Sequence, residues 1–195
     1  MSEKPIIMTA HSVRAILAGR KTQTRRVLKP QPAYGKFDDF YTMPDGLLQM
    51  RFVESRKTGD YFWTNKAPHA VDDHLWVKEA FATDGPIVRY AATDDIHDLR
   101  EKKSPLFMPR WASRITLQVT GVKVERLQDI SEADAQAEGV EPVGVPTGRI
   151  DGHGENIEQG SYRAAYSEIW NSIHGPGAWD ANVWVVAITF RRVTP

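Results

Sequence analysis

Residues 114–127, RITLQVTGVKVERL, place Ile115, Leu117 and Val119 on one face of an extended chain and Val122 and Val124 on a later one. Side chains of a strand alternate with period two, so this stretch must lay one face on a core, and its change of phase at Thr120-Gly121 predicts a bulge near Gly121. A second constraint is VWVVAITF, 183–190, which is apolar almost throughout. Such a run reads as a strand covered on both faces. HLWVKEAF (74–81) and PIVRYAA (86–92) are expected to add strands, with ATDG between them as a turn.

Helices are short and separated. Thr9 or Ser12 can cap one in which Val13, Ile16 and Leu17 recur at helical spacing, and Gly19 ends it. Ser131 and Asp134 stand in capping-box-like spacing ahead of a second helix that stops at Gly139. Ser161 opens a third, with a stripe of Tyr162, Ala165, Tyr166, Ile169, Trp170 and Ile173 before Gly175 and Pro176. From Lys29 to about Pro68 no period is sustained, which predicts an inserted excursion with one hairpin, and the glycine-rich PVGVPTGRIDGHGENIEQG predicts a mobile loop. Strands without regular strand-helix alternation point to one α+β domain over residues 1–195, built around a small barrel, with insertions at about 30–68 and 141–160.

A chain of 195 residues buries enough surface, roughly 70% of that exposed by its unfolded form, to need no staples. Twenty-five basic residues balance 25 acidic ones, so any polyanion site must be a local patch. The absence of cysteine excludes disulfides, thiolate metal sites and a cysteine nucleophile. MSEKPIIMTAHS has neither the basic start nor the apolar core of a signal peptide, and no stretch is apolar enough to cross a bilayer, so a cytoplasmic protein with no membrane partner is expected.

The local patch exists. Between His11 and Lys29 the charged residues are Arg14, Arg20, Lys21, Arg25, Arg26 and Lys29, with no acid among them. Cations gathered after a helix end suit phosphate contacts, and equally suit the helix dipole and water. Thr22 and Thr24 add hydroxyls, and a hydroxyl beside a neutral lysine is an activated nucleophile. Neighbouring arginines and burial both favour the neutral amine of Lys21. On a continuous strand Lys21 and Thr24 would face opposite ways, so their cooperation requires a turn between them, which Gly19 makes possible.

ILAGRKTQTRR, with RLQDISEADAQAEGV and the closing WVVAITF, resembles the ASCH domain of the PUA-like superfamily. The version with LWVKEAF and MPRWASRITL is similar to ASCH proteins of bacteriophages and prophages. The resemblance implies a small, partly open β-barrel flanked by short helices, with a cleft for nucleotides or nucleic acid. A compact bacterial member of that family is an amidohydrolase of N4-acetylcytidine, and the resemblance implies a catalytic set of Lys21, Thr24 and Glu138 here, acting without metal or other cofactor. Glu138 would end its helix, where the dipole disfavours a carboxylate by about 0.3–1 kcal/mol. The expected substrate is an N4-acylated cytosine nucleoside. The alternatives are a non-catalytic RNA- or DNA-binding module, or a metal-independent ribonuclease using Lys21, Arg26 and Glu138.

Further candidates surround this set. Arg20 and Arg26 are expected to hold substrate or the oxyanion, and Glu79 to face the cleft as the partner of an arginine such as Arg26. In PRWASR, 109–114, Trp111 could stack on a base beside Arg110 and Ser113, or anchor a loop. Trp76, Trp170 and Trp184 lie in apolar patterns and are expected in the core. HAVDDH (69–74) and DGHGE (151–155) contain ligand types, but neither spacing closes a metal geometry, and turn-forming Asp and Gly explain both.

Overall fold

Strand β12 (Trp184–Val193) runs between two antiparallel neighbours, β9 (Thr116–Arg126) and β2 (Gln23–Val27). The computed structural model describes residues 3–32, 35–43, 48–56, 59–84, 86–94, 102–150 and 156–193. Beyond β9 the sheet continues through β6 (His74–Lys78) to β1 (Glu3–Ile7), giving the order β1-β6-β9-β12-β2. The β1–β6 pair is parallel and the others are antiparallel, so the sheet is mixed. The architecture is α+β, rich in strands, and among the described residues no sheet closes on itself.

Gly121 opposes Thr189 while Val119 opposes Phe190, which leaves Thr120 as the extra residue of a bulge. That bulge accounts for the phase shift in the sequence. Residues of β12 are buried on both faces because two layers cover them. On one side Val186 and Ile188 join Val13 and Ile16 of α1 (Ala10–Leu17), and on the other Val185 joins Tyr166 and Trp170 of α3 (Tyr162–His174). Burying each large aliphatic or aromatic side chain contributes about 1.5–3 kcal/mol.

The helices start where the caps predict. Thr9 Oγ1 accepts from Ser12 N, Ser161 Oγ from Ala164 N, and Ser131 Oγ from Asp134 N at the start of α2 (Glu132–Ala137). Along α3 the predicted stripe is buried at Ala165, Tyr166 and Trp170, but Ile173 is 59% exposed, because it faces an open cleft. Trp76 likewise departs from the expected core. Leu75 and Val77 point inward, so the alternation of β6 turns Trp76 to the outer face, where it lies half-buried under Lys78 and Arg110.

Both predicted insertions hold regular structure. Residues 36–66 form an antiparallel meander of β3 (Lys36–Thr42), β4 (Leu48–Arg56) and β5 (Gly59–Lys66) instead of a single hairpin. Its Met50 and Phe52 are fully buried, and Phe52 meets Trp184 edge-on with ring centroids 5.1 Å apart. The meander is therefore a wall of the main core. The expected strand HLWVKEAF is divided after Lys78, and Ala82–Asp84 of the expected turn belong to β7 (Phe81–Asp84), which pairs with β8 (Ile87–Tyr90); the glycine-rich segment also pairs, as β10 (Val143–Ile150) and β11 (Asn156–Ser161). Glycines on the exposed positions hide its alternation, since only Val143 and Val145 mark the inner face. DGHGE, 151–155, lies outside the described residues.

The turn after α2 joins it tightly to α1. Gly139 has φ +81°, and a Cβ placed there would lie 2.8 Å from the Cβ atoms of Ala15 and Lys21. Gly139→Ala is expected to lower the unfolding free energy by roughly 2–4 kcal/mol, through left-handed strain plus overpacking. Gly148→Ala, with φ +74° and open space around it, adds strain alone and is expected to cost about 1–2 kcal/mol. Urea unfolding of both variants checks the difference.

Candidate active site

Strand β2 is an edge of the five-stranded sheet, and the chain reaches it through the turn that ends α1. Ala15 O accepts from both Arg20 N (2.9 Å) and Lys21 N (3.1 Å), so the helix end is capped by the very residues that follow it. Thr22 N then donates to Ala137 O at the end of α2, and Thr22 O accepts from Phe190 N of β12. The segment is thus clamped between α2 and the sheet before β2 begins at Gln23. The turn precedes Lys21 and does not lie between Lys21 and Thr24 as expected, yet both residues line one cleft.

Lys21 enters the protein with its side chain only 4% exposed. Its Nζ donates to Glu138 Oε2 at 2.6 Å and to the Glu138 carbonyl at 2.8 Å. Burial holds the amine's pKa below the ordinary lysine value, helped by the charges of Arg26 and Arg25 and opposed by Glu138. Glu138 is itself buried as the C-cap of α2, and its other oxygen accepts from Arg25 Nη1 (3.2 Å) and the Tyr166 hydroxyl (3.4 Å). Burial and the neighbouring Glu138 push the Tyr166 pKa well up, so this phenol stays a proton donor.

Arg25 carries the charge pattern inward. Its Nε donates to Glu125 Oε1 (2.9 Å) and its Nη1 to Gln23 Oε1 (2.6 Å), and Glu125 Oε2 faces Lys123 Nζ at 2.6 Å. Lys21, Glu138, Arg25, Glu125 and Lys123 therefore alternate in sign from the cleft to the far side of β9.

Thr24 and Arg26 occupy the opposite face of β2. Thr24 is buried and lines the same cleft as Lys21, and its hydroxyl has no hydrogen-bond partner among the described residues. Arg26 is exposed at the mouth, where its Nη2 donates to Ile7 O of β1 at 2.7 Å. The two edges of the sheet thus meet through one side chain, without a ladder. The cleft at this junction has a volume of about 850 Å³. Ile7 and Met8 form one wall and Ile169, Trp170 and Ile173 of α3 another, with Lys21, Thr24, Glu138 and Tyr166 between them. His174 at the rim has its pKa lowered by burial and by Arg26 and Lys29, which keeps it neutral at pH 7.

Lys21, Thr24, Glu138 and Arg26 come together, whereas the other expected substrate-binding residues lie elsewhere. Arg20 points outward and pairs with Glu141. Glu79 is buried against Arg114, in a two-point pair at 2.9 and 3.0 Å, and not against Arg26, because it follows β6 and not the β2 edge. Arg110 pairs with Glu3 (3.0 and 3.1 Å), Ser113 Oγ donates to Val77 O, and Trp111 is 70% exposed on the surface. That exposure also removes the reading of Trp111 as a loop anchor. In HAVDDH, Asp73 accepts from Lys4 and Ala70 N, and Asp72 from Gln118. Among the described residues no three of His, Asp and Glu gather as metal ligands.

Arg25 and Tyr166 are site residues that the sequence reading left out. Arg25 was one cation in a patch, and Tyr166 one apolar position in a stripe. A polar tip on the buried face of α3 was the available signal, because a buried phenol requires a partner. Comparison of the chain with protein-family models, with curated proteins and with solved structures gives no match.

Removal of Glu138 takes the carboxylate from buried Lys21 and leaves Arg25 with Glu125. Glu138→Ala is therefore expected to destabilise the protein by about 3–5 kcal/mol. Lys21→Met, which leaves Glu138 paired with Arg25, is expected to cost less. Chemical unfolding at pH 7 checks the order.

Proposed function

We propose that this chain is an amidohydrolase that removes the acyl group from N4 of a modified cytosine nucleoside, on a PUA-like domain of the ASCH type. The observation that carries the reading is a buried lysine held by a glutamate, lining one cleft with a threonine whose hydroxyl has no hydrogen-bond partner among the described residues. The volume of the cleft lies within the range of small-molecule sites, and Trp170 and Tyr166 offer apolar faces to a base. The similarity of ILAGRKTQTRR to the ASCH pattern selects the amide of an acylated cytosine from the acyl groups such a site could attack.

In this reaction Thr24 Oγ1 adds to the acyl carbonyl carbon as its proton passes to neutral Lys21 Nζ. Arg26 faces the oxyanion that forms. The C–N4 bond then breaks, Lys21 returns the proton to N4, and the base leaves with its free amine. Water attacks the threonine ester, again losing its proton to Lys21, and the proton returned to Thr24 Oγ1 releases the carboxylic acid. Glu138 orients the amine throughout, and Tyr166 and Arg25 orient Glu138.

Incubation with N4-acetylcytidine and a panel of other N4-acylated cytosine nucleosides tests the reading, with cytidine or deoxycytidine release followed by chromatography. Turnover is expected, and Lys21→Ala, Thr24→Val and Lys21→Arg are each expected to lower it by about 10²-fold or more. Lys21→Arg is informative because arginine keeps the charge and never yields its proton. No turnover on any member of the panel would overturn the proposal.

The pH profile supplies an independent check. Lys21 acts as base only when neutral, so kcat/KM is expected to rise with pH and level off above an apparent pKa lower than 10.5. A rate that fell with rising pH over that range would remove Lys21 as the base.

A further inference from the structure

Residues 102–112, KKSPLFMPRWA, contain two short 3₁₀ turns, Pro105–Phe107 and Arg110–Ala112. Met108 and Ala112 anchor them in a small core with Phe81. The same turns hold Leu106, Phe107 and Trp111 outward, at 65%, 74% and 70% exposure. Three large apolar side chains on an anchored frame are a built surface, and single exposed residues elsewhere do not resemble it.

Cations are interleaved with these rings. Lys102, Lys103 and Arg110 lie in the same stretch, and Lys78 reaches it from β6 by donating to Leu106 O at 2.6 Å. Lys78 and Arg110 both stand over the half-buried ring of Trp76. Glu3 is the acid that meets this group, through Arg110.

The surface is continuous with the cleft. In the parallel β1–β6 ladder, Pro5 opposes Trp76 and Ile7 opposes Lys78, and all four side chains share the outer face. Ile7 is also a wall of the cleft, and its carbonyl holds Arg26. Neighbouring strands lie about 4.8 Å apart, so the aromatic surface begins within one or two residues of the cleft mouth.

We propose that this outer face binds single-stranded nucleic acid, with bases stacked on Phe107, Trp111 and Trp76 and phosphates on Lys78 and Lys102, and that it leads one base of the strand to the cleft. Stacking rings alternating with cations suit a strand whose bases are unpaired, because a duplex hides the faces that the rings would cover. A protein partner would have no use for the cations unless it were acidic, whereas a polynucleotide uses rings and cations together. The proposal deepens the amidohydrolase reading, since it makes the substrate a cytosine within a strand, and the binding itself does not depend on that reading.

Fluorescence anisotropy with labelled, unmodified RNA and DNA oligonucleotides of roughly 12 residues tests the binding, and the two arms separate ribose from deoxyribose strands. The Phe107→Ala/Trp111→Ala double variant is expected to bind about tenfold or more weakly. Its hydrolysis of free N4-acylated nucleosides is expected to match wild type, because neither ring lines the cleft. Lys78→Glu is expected to flatten the dependence of log K on log salt by about one phosphate. No binding at low salt, or binding that the double variant leaves unchanged, would overturn the proposal. So would sedimentation showing that the two rings hold a dimer together while strand binding persists without them. Ring-dependent binding with no nucleoside turnover would sink the amidohydrolase and leave the strand site standing.

Discussion

One buried carboxylate holds the site and much of the fold. Glu138 accepts from Lys21 and Arg25 in a region where an unpaired charge costs several kcal/mol, so Lys21 cannot be inside unless the carboxylate is, and Arg25 shares it with Glu125. Arg25 extends the debt to Glu125 on β9, and Tyr166 of α3 closes the remaining side. Four elements from distant parts of the chain must therefore be in place together. The arrangement that buries Lys21 also ties α2 and α3 to the sheet.

The cleft follows from how the sheet ends. Edge strands present unpaired backbone groups, and proteins guard them with charge, covering segments or closure. Here β1 and β2 approach without pairing, and Arg26 spans them by one bond to Ile7 O. The gap that remains is the cleft. A closed ladder at this point would have buried Thr24 in a core and left no room for a ligand.

Much of the local structure was legible in the sequence. Caps at Thr9, Ser131 and Ser161, the bulge beside Gly121, and the doubly covered strand near the end of the chain all follow from short-range rules, because a side chain's own geometry and its near neighbours decide them. The two inserted segments were not legible as strands. Their glycines and scattered aromatics break the period on which a strand reading rests, and pairing across the meander supplies what the pattern lacks. Ile173 and Trp76 failed for a related reason: periodicity assigns a face to a residue, but not whether anything lies beneath it.

By itself the sequence determined which residue types could do chemistry. It also placed Glu138 at a helix end beside a glycine. Only the tertiary structure decided which cations go inside. Arg20, Lys21, Arg25 and Arg26 look alike as a string, yet Lys21 and Arg25 are buried on one carboxylate while Arg20 meets Glu141 at the surface and Arg26 bridges two strands. The physical reason is that the free energy of a buried charge depends on its partner's position, and Glu138 lies more than a hundred residues along the chain from Lys21. The same holds for Trp111, whose exposure depends on how Met108 and Ala112 anchor the turns around it.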